Sequence, residues 1–222
     1  MARLLLAVDF DGTITQRDTL HVIVEAFGTP GVWGALEPGL RAGQLTVEEV
    51  MEREFAEVRA EPAQVIDLVL REAPVRPGFA ELVAWAHRAG HRVVVLSNGF
   101  RCVIDAVLGR ADLADLPVVS HDARFSASGT QLLWSERGAP CERCGRPCKR
   151  RDLRAHARGE RVVYMGDGIS DRCAAPLADL IFARAGLARD LAAQRVPFEH
   201  FDDFHTVRAR LEGELAGATA AP

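Results

Sequence analysis

The chain predicts an α/β fold in which a parallel β-sheet, covered by helices on both faces, is interrupted by one helical insertion. Three observations carry this expectation. Apolar runs of about five residues recur at 4–8, 92–96 and 161–165, and runs of that length and content read as buried strands. Beyond Gly78 such runs alternate with helical segments, the pattern of parallel βαβ units. Between residues 15 and 75 no strand-like alternation occurs and the periodicity is helical. The expected organisation is a core of residues 1–14 and 76–216, a helical cap of residues 15–75, and a disordered tail of residues 217–222, small and poor in apolar side chains.

The first strand closes in Asp9-Phe10-Asp11-Gly12-Thr13. Side chains two apart on an extended backbone leave the same face, so Asp9 and Asp11 can converge on one reacting group. Gly12 permits a sharp departure of the backbone, and Thr13 adds a hydroxyl and an amide. Close carboxylates repel, so a cation or a shared proton is expected beside them. Mg²⁺, a hard ion that takes oxygen ligands, suits the site. An EF-hand calcium loop is excluded, because the sixth and twelfth positions from Asp9 are Ile14 and Leu20 where glycine and an acid are required. On this segment alone, an ordinary polar turn after a strand remains open.

The insertion follows. Residues 19–27 form a helical segment that Gly28, Pro30, Gly31 and Gly34 interrupt. Thr46-Val47-Glu48-Glu49 is a capping box opening a helix through about Val58, and Glu61-Pro62 starts another through Leu70. Pro74 and Arg76-Pro77-Gly78 punctuate the chain before a helix over 79–88 that Gly90 ends. The strand at 92–96 runs directly into Ser97-Asn98-Gly99, then a helix at 100–108 and a strand at 116–119. Residues 123–125 and 131–134 flank Ser126-Ala127-Ser128-Gly129, which predicts a hairpin. A Cys- and Arg-rich loop leads to a helix near 152–157 and the strand at 161–165, which closes in Gly166-Asp167-Gly168-Ile169-Ser170-Asp171. A helix at 174–178, a short strand at 180–182 and two further helical stretches complete the chain.

In parallel sheets ligands bind beyond the carboxyl ends of the strands. Three strand ends here are polar, at Asp9, at Ser97 and at Gly166-Asp167, and a parallel arrangement gathers them at one edge. Lys149 is the only lysine among 27 Lys and Arg residues. A chain that otherwise uses arginine thus keeps one compact point charge in place of a planar fork, unless the residue is there by chance.

Taken in order, Asp9-Phe10-Asp11-Gly12-Thr13, Ser97, Lys149 and Gly166-Asp167-Gly168-Ile169-Ser170-Asp171 resemble the four motifs of the haloacid dehalogenase superfamily of phosphohydrolases. The resemblance spans nearly the whole chain. It implies a Rossmann-like sheet core whose helical insertion is a C1 cap, and Arg76-Pro77-Gly78 is similar to the phosphoserine phosphatase branch. It also implies roles. Asp9 would be the nucleophile, forming an aspartyl-phosphate, and Asp11 would protonate the leaving alkoxide and then activate water. Mg²⁺ would be held by the Asp9 carboxylate, the Asp11 carbonyl and the Asp167 carboxylate, with Asp171 in support. Ser97 and Lys149 would bind the transferring phosphoryl oxygens, assisted around Gly12, Thr13, Asn98 and Gly99.

Within the superfamily, Asp9 through Thr15 with Asp18, Ser120-His121, the cysteine-rich segment before Lys149, and Phe182-Ala183-Arg184 are similar to the methionine-salvage branch, which acts on an enol phosphate. Asp18, where phosphoserine phosphatases carry Glu, is a candidate substrate contact, with a helix-start acid as its other reading. Asn98 departs from the glycine pair usual after the motif serine. The expected activity is hydrolysis of a small phosphorylated metabolite. The alternatives are a phosphoserine or phosphocholine-type phosphatase, transfer of the phosphoryl group to an alcohol, and a phosphate-ligand binding or regulatory protein. A binder, however, needs no leaving-group acid such as Asp11.

Composition narrows the remaining classes. The 222 residues are 48% hydrophobic and 26% charged, with a net charge of −4, which points to no nucleic-acid partner. The basic stretch from Arg143 to Arg161 lacks the aromatic interleaving of a nucleic-acid surface and reads as a solvated helix face that also draws in anionic substrate. The amino-terminal apolar run is too short for a signal or a membrane span, so a cytoplasmic protein without membrane contact is expected. Five cysteines fit reduced thiols. Cys141-x2-Cys144-x3-Cys148 offers three thiolates for Zn²⁺, with His121, His156, Cys102 or Cys173 as the fourth ligand; redox-labile thiols and loop packing are the alternatives. His87, His91, His200 and His205 show no ligand spacing, Trp85 is expected in the core, and Trp33 in the core or lining the cap.

Overall fold

The computed structural model describes residues 3–135 and 140–219. Strand β1 (Leu4–Val8) is the centre of a seven-stranded sheet. It pairs in parallel with β2 (Arg92–Phe100) on one side and β5 (Arg161–Gly166) on the other, Val8 lying level with Val95 and Met165. Beyond β2 lie β3 (Val118–Ser126) and β4 (Gly129–Leu133); beyond β5 lie β6 (Leu180–Ala183) and β7 (Glu199–His200). Only β4 runs antiparallel.

The period of two along β1 divides the interior. Leu4, Leu6 and Val8 face one apolar cluster, and Leu5 and Ala7 face a second on the opposite side of the sheet. The first is filled by α5 (Phe79–Arg88), α6 (Arg101–Arg110) and α9 (Phe204–Thr219), through residues such as Phe79, Ile104 and Phe204. The second is closed by α7 (Lys149–His156) and α8 (Ala185–Ala193), through Leu153, Leu187 and Leu191.

The insertion holds α1 (Thr19–Phe27), α2 (Val32–Arg41), α3 (Val47–Phe55) and α4 (Pro62–Glu72). The Thr46–Glu49 capping box forms as the sequence predicts, with Glu49 N–H donating to Thr46 Oγ1 at 2.9 Å and Thr46 N–H to Glu49 Oε2 at 2.7 Å. The chain leaves and re-enters the sheet side by side: Thr15 bridges Val75, and Arg76 N–H donates to Ile14 O at 2.7 Å. The insertion rests on the sheet through Phe55, whose ring meets Phe100 edge-on at 4.8 Å between centroids, and through Thr130, whose hydroxyl donates to Val58 O at 2.9 Å.

Several elements differ from the sequence expectation. The segments expected at 116–119 and 123–125 are one strand, β3, parallel to β2 at its start and antiparallel to β4 at its end. β2 does not stop at Leu96 but continues through an irregularity to Phe100, which is buried against Phe55 and Phe125. The glycine and proline cluster ends α1 at Phe27, with Gly28 as its cap, as the sequence predicts, but a further helix, α2, forms across Gly34 and Pro38 with Leu36 buried. The helix expected at 174–178 is a single tight turn over Ala175–Leu177 containing Pro176. Helix α9 runs to Thr219, with Val207 and Leu211 buried in the core, and the rest of the expected tail, residues 220–222, lies outside the described residues. No helix among the described residues is long and apolar enough to cross a membrane.

Candidate active site

Because β1, β2 and β5 are adjacent and parallel, their carboxyl ends share one edge, and the residues after them meet there. Asp9 follows β1, only 4% exposed, its N–H donating to Met165 O at 2.9 Å. The chain then makes one wide turn over Phe10–Ile14, closed by Thr15 N–H donating to Phe10 O at 3.1 Å. Gly12 occupies this turn at φ +74°, and a β-carbon there would lie 2.4 Å from Asp167 Oδ2. The turn therefore requires glycine twice over, for its backbone and for the close approach of the β5 loop. Gly99 is bounded in the same way, since its β-carbon would lie 2.6 Å from Asp11 Oδ2.

Lys149 is the first residue of α7 and is 1% exposed. Its ammonium bonds Asp9 Oδ1 and, at 2.8 Å, Asp171 Oδ1. Asp171 is fully buried and accepts from Tyr164 Oη at 2.8 Å, and from the amides of Asp167 and Gly168 at 3.2 and 3.1 Å. Asp167 receives the Thr13 hydroxyl at 3.2 Å. Carboxylate oxygens of Asp9, Asp167 and Asp171 lie within 4.8 Å of one another. Asp11 points elsewhere: Oδ1 accepts from the hydroxyl and, at 3.2 Å, the amide of Thr19, and Oδ2 from Ser97 Oγ at 3.2 Å.

The electrostatics follow from this crowding. Burial pushes the Asp9 carboxyl up to about 7, with Asp171 adding to the rise and Lys149 opposing it. Burial and then the charges of Asp9 and Asp171 push Asp167 up to about 10. Asp11 rises to about 6 through burial and the charge of Asp18, against the hydrogen bond from Thr19. Burial works against the Lys149 ammonium, but Asp171 and Asp9 outweigh it and hold its pKa above the usual range. Asp9 and Asp167, hard oxygen donors whose carboxyls are pushed up first by burial and then by neighbouring carboxylates, fit Mg²⁺, a cation that relieves both costs. Asp9 and Asp167 would hold it, with Asp171 in support. The Asp11 carboxylate is committed to Thr19 and Ser97, so its part in the metal set rests on the carbonyl that the resemblance implies.

These groups floor a cavity of about 400 Å³ whose opposite wall is the insertion. Asn98, Gly99, Lys149 and Gly168 line it beside Asp9, Asp11 and Asp167. Asp18 lies on its wall and caps α1, accepting from His21 N–H at 3.0 Å, so it is both a helix-start acid and a residue facing the ligand space. Trp33 lines the cavity too. Ser97 and Thr13 are fully buried beneath it; Ser97 Oγ accepts from Gly99 N–H at 2.7 Å and so holds the loop as well as Asp11.

Family-model comparison matches residues 6–176 to the haloacid dehalogenase-like hydrolases. The chain belongs to this family. Among haloacid dehalogenase-like hydrolases it is 32% identical over 214 residues to the 2-hydroxy-3-keto-5-methylthiopentenyl-1-phosphate phosphatase of Brevibacillus brevis, covering 92% of this chain and 93% of that protein. It is 31% identical to the phosphatase of the same name from Geobacillus thermodenitrificans, covering 95% and 97%. A solved phosphoserine phosphatase holding an analogue of a phospho-aspartyl intermediate superposes with a TM-score of 0.71 at 14% identity, covering 95% of this chain and 99% of that one, a likeness of fold.

The sequence did not single out every residue that builds this hydrolase site. Arg76, 7% exposed, donates from Nη2 to Gly12 O at 2.8 Å and Thr15 O at 3.0 Å, and from Nε to Thr13 O at 2.8 Å, so it braces the turn that follows Asp9. In the sequence it read as punctuation and as part of the Arg76-Pro77-Gly78 resemblance, with no role of its own. Thr19 and Tyr164 orient Asp11 and Asp171, and nothing in their spacing announced it. Glu54 reaches the cavity from α3.

The predicted cysteine trio is also assembled, in the segment that precedes Lys149 in the chain. Sulfurs of Cys141, Cys144, Cys148 and Cys173 lie within 4.8 Å of one another, a group able to hold a metal ion. The other proposed fourth ligands are engaged elsewhere: His121 Nδ1 pairs with Ser135, His156 Nδ1 with Asp152 O, and Cys102 with Ala123 O.

Proposed function

We propose that this hydrolase is a Mg²⁺-dependent phosphomonoesterase acting on 2-hydroxy-3-keto-5-methylthiopentenyl 1-phosphate, through an aspartyl-phosphate on Asp9. The observation that carries the reading is the pairing of a charged floor with an apolar roof. Asp9, Asp11, Asp167 and Lys149 form one side of the cavity, and Leu20, Trp33, Val47, Val50 and Met51 are among the residues of the other. A phosphate seats on the floor, and a methylthioalkyl chain buries against the roof. Charged groups also reach the cavity, Asp18, Glu54, Arg41 and Arg189 among them. Arg41, a cationic residue on the wall, is already paired with Glu37 at 2.8 Å.

The residues divide the reaction into two displacements. In the first, an Asp9 carboxylate oxygen bonds to phosphorus as the ester P–O bond breaks, and the Asp11 carboxyl gives its proton to the departing oxygen. In the second, water attacks the phosphoenzyme and yields its proton to Asp11. Phosphate then leaves and the Asp9 carboxylate is restored. A carboxyl raised to about 6 by burial and by Asp18 is suited to both proton transfers near neutrality. Mg²⁺, when bound, neutralises charge shared between the nucleophile and the phosphoryl oxygens. Lys149 supplies fixed positive charge on the same side as Asp9. Residues 15–75 act as the cap that closes over the substrate. The unpaired cysteines favour a reducing, cytoplasmic setting.

The test is phosphate release from the enol phosphate, phosphoserine, phosphocholine and pyridoxal phosphate, with Mg²⁺ and beside Asp9→Asn. Release that requires both Mg²⁺ and Asp9, with the enol phosphate preferred in kcat/KM, supports the reading. Preference for phosphoserine overturns the substrate. Product that appears only when an alcohol acceptor is added overturns hydrolysis, and tight binding without release overturns catalysis.

A further inference from the structure

The four-cysteine cluster lies outside the phosphoryl site, and the proposed reaction makes no use of it. Its geometry is that of a closed metal centre. A tetrahedral zinc thiolate with Zn–S of about 2.3 Å sets its sulfurs about 3.8 Å apart. Cys141 Sγ and Cys173 Sγ are 3.7 Å apart, far beyond a disulfide bond. The loop is shaped for the purpose. Arg143 N–H points at Cys141 Sγ at 3.4 Å, Gly145 N–H donates to Cys141 O at 2.8 Å, and Gly145 stands at φ +69° directly after Cys144. Loop packing does not explain the set, since Cys144 is exposed. Four thiolates on Zn²⁺ leave a net charge of −2, and the same segments supply Arg143, Arg146, Arg150 and Arg172, with Arg150 Nη1 donating to Cys173 O at 3.3 Å.

The ligands also border the catalytic residues in the chain. Cys148 immediately precedes Lys149, and Cys173 stands two residues after Asp171, the two groups whose ion pair measures 2.8 Å. A metal joining those cysteines ties the start of α7 to the acidic loop at the point where Lys149 bridges them. We propose that Cys141, Cys144, Cys148 and Cys173 bind one structural Zn²⁺, and that this ion is a positioning tie holding Lys149 against Asp9 and Asp171.

The protein is purified reduced and held in excess Mg²⁺, so that the carboxylate site is filled. Its metal content is read by native mass spectrometry and elemental analysis, and Co²⁺ is exchanged for zinc. The expected results are one zinc per chain and, with Co²⁺, intense thiolate-to-cobalt charge-transfer bands beside the visible bands of a tetrahedral ion. Cys144→Ser loses the zinc and lowers kcat about 10- to 100-fold, the usual scale for an outer-shell support, with KM changed less. Cys144→His, which restores a ligand, regains both metal and kcat. Reduced, folded protein without thiolate-bound metal overturns the site, as does an active form whose four cysteines are joined in disulfides. Zinc-free Cys144→Ser with full kcat overturns the tie. Should that variant fail to fold, wild-type protein stripped by chelator is restored with Mg²⁺ alone or with Mg²⁺ and Zn²⁺. Recovery by Mg²⁺ alone overturns the tie, and a requirement for Zn²⁺ supports it. Metal content and cobalt spectra need no substrate, so they stand or fall separately from the phosphatase reading.

Discussion

Lys149 holds two carboxylates while almost wholly enclosed, and its shape matters as much as its charge. A guanidinium is planar and bulkier, and cannot bring one point charge between Asp9 and Asp171 in the same space. Lys149→Arg is expected to lower kcat about 10²- to 10³-fold, as loss of one transition-state donor does, with the fold retained by circular dichroism. The carboxyls themselves make a prediction about metal binding. With Asp9 raised to about 7 and Asp167 to about 10, the metal-free site keeps protons at pH 7 that a bound cation must displace. Titration calorimetry with Mg²⁺ at pH 7 in two buffers of different ionisation enthalpy should show release of between about one and two protons per metal, declining as pH rises toward 10. An enthalpy that does not depend on the buffer would contradict the raised carboxyls.

The turn over Phe10–Ile14, directly after Asp9, is the smallest element of the site. It is held from below by Arg76 on the carbonyls of Gly12, Thr13 and Thr15, and from the side by Arg184 Nη1 on Gly12 O at 3.3 Å. Its conformation needs a left-handed residue at position 12, and its neighbour Asp167 leaves no room for a methyl group. Gly12→Ala is therefore expected to cost about 1–2 kcal/mol from backbone strain alone. It should also displace Asp167, so that the midpoint of thermal unfolding falls and the Mg²⁺-induced rise in that midpoint shrinks together. A variant with lowered stability but an unchanged Mg²⁺ response would show that Asp167 does not hold the metal. The pentapeptide was legible in the sequence because its residue types are dictated by chemistry. Arg76 was not, since a buried arginine bracing the Thr13 carbonyl from 63 residues away in the chain leaves no periodic mark.

At the scale of the whole molecule, the site exists because a sheet edge and a helical insertion face each other across the cavity. Glu54 on α3 shows the electrostatic consequence. Burial, then the charge of Asp18, pushes its carboxyl up to about 7 from an ordinary value of 4.5. Between those values the folded chain keeps a proton that the unfolded chain has lost, so this group makes stability fall as pH rises through the window, and its full penalty stands above about 7. Glu54→Gln should leave the urea midpoint little changed at pH 4.5 and raise it at pH 8 relative to the parent. Equal midpoint differences at both pH values would place Glu54 in water. Much of this architecture was open to sequence reading, because strands, caps and turns are local. Apolar runs of five, the Thr46 capping box and acids after strand ends are each decided within a few neighbours. The run from Val118 to Ser126 as one strand and the helix α2 across Gly34 and Pro38 were not, because there the packing of distant residues overrides local propensity. So, too, with the sites. The sequence by itself determined which side chains could attack phosphorus, hold a hard cation or bind zinc, since that follows from their functional groups. Only the tertiary structure decided that Ser97 lies beneath the cavity, that Cys173 completes the thiol cluster, and that Lys149 bridges Asp9 and Asp171, since those are distances between residues far apart in the chain.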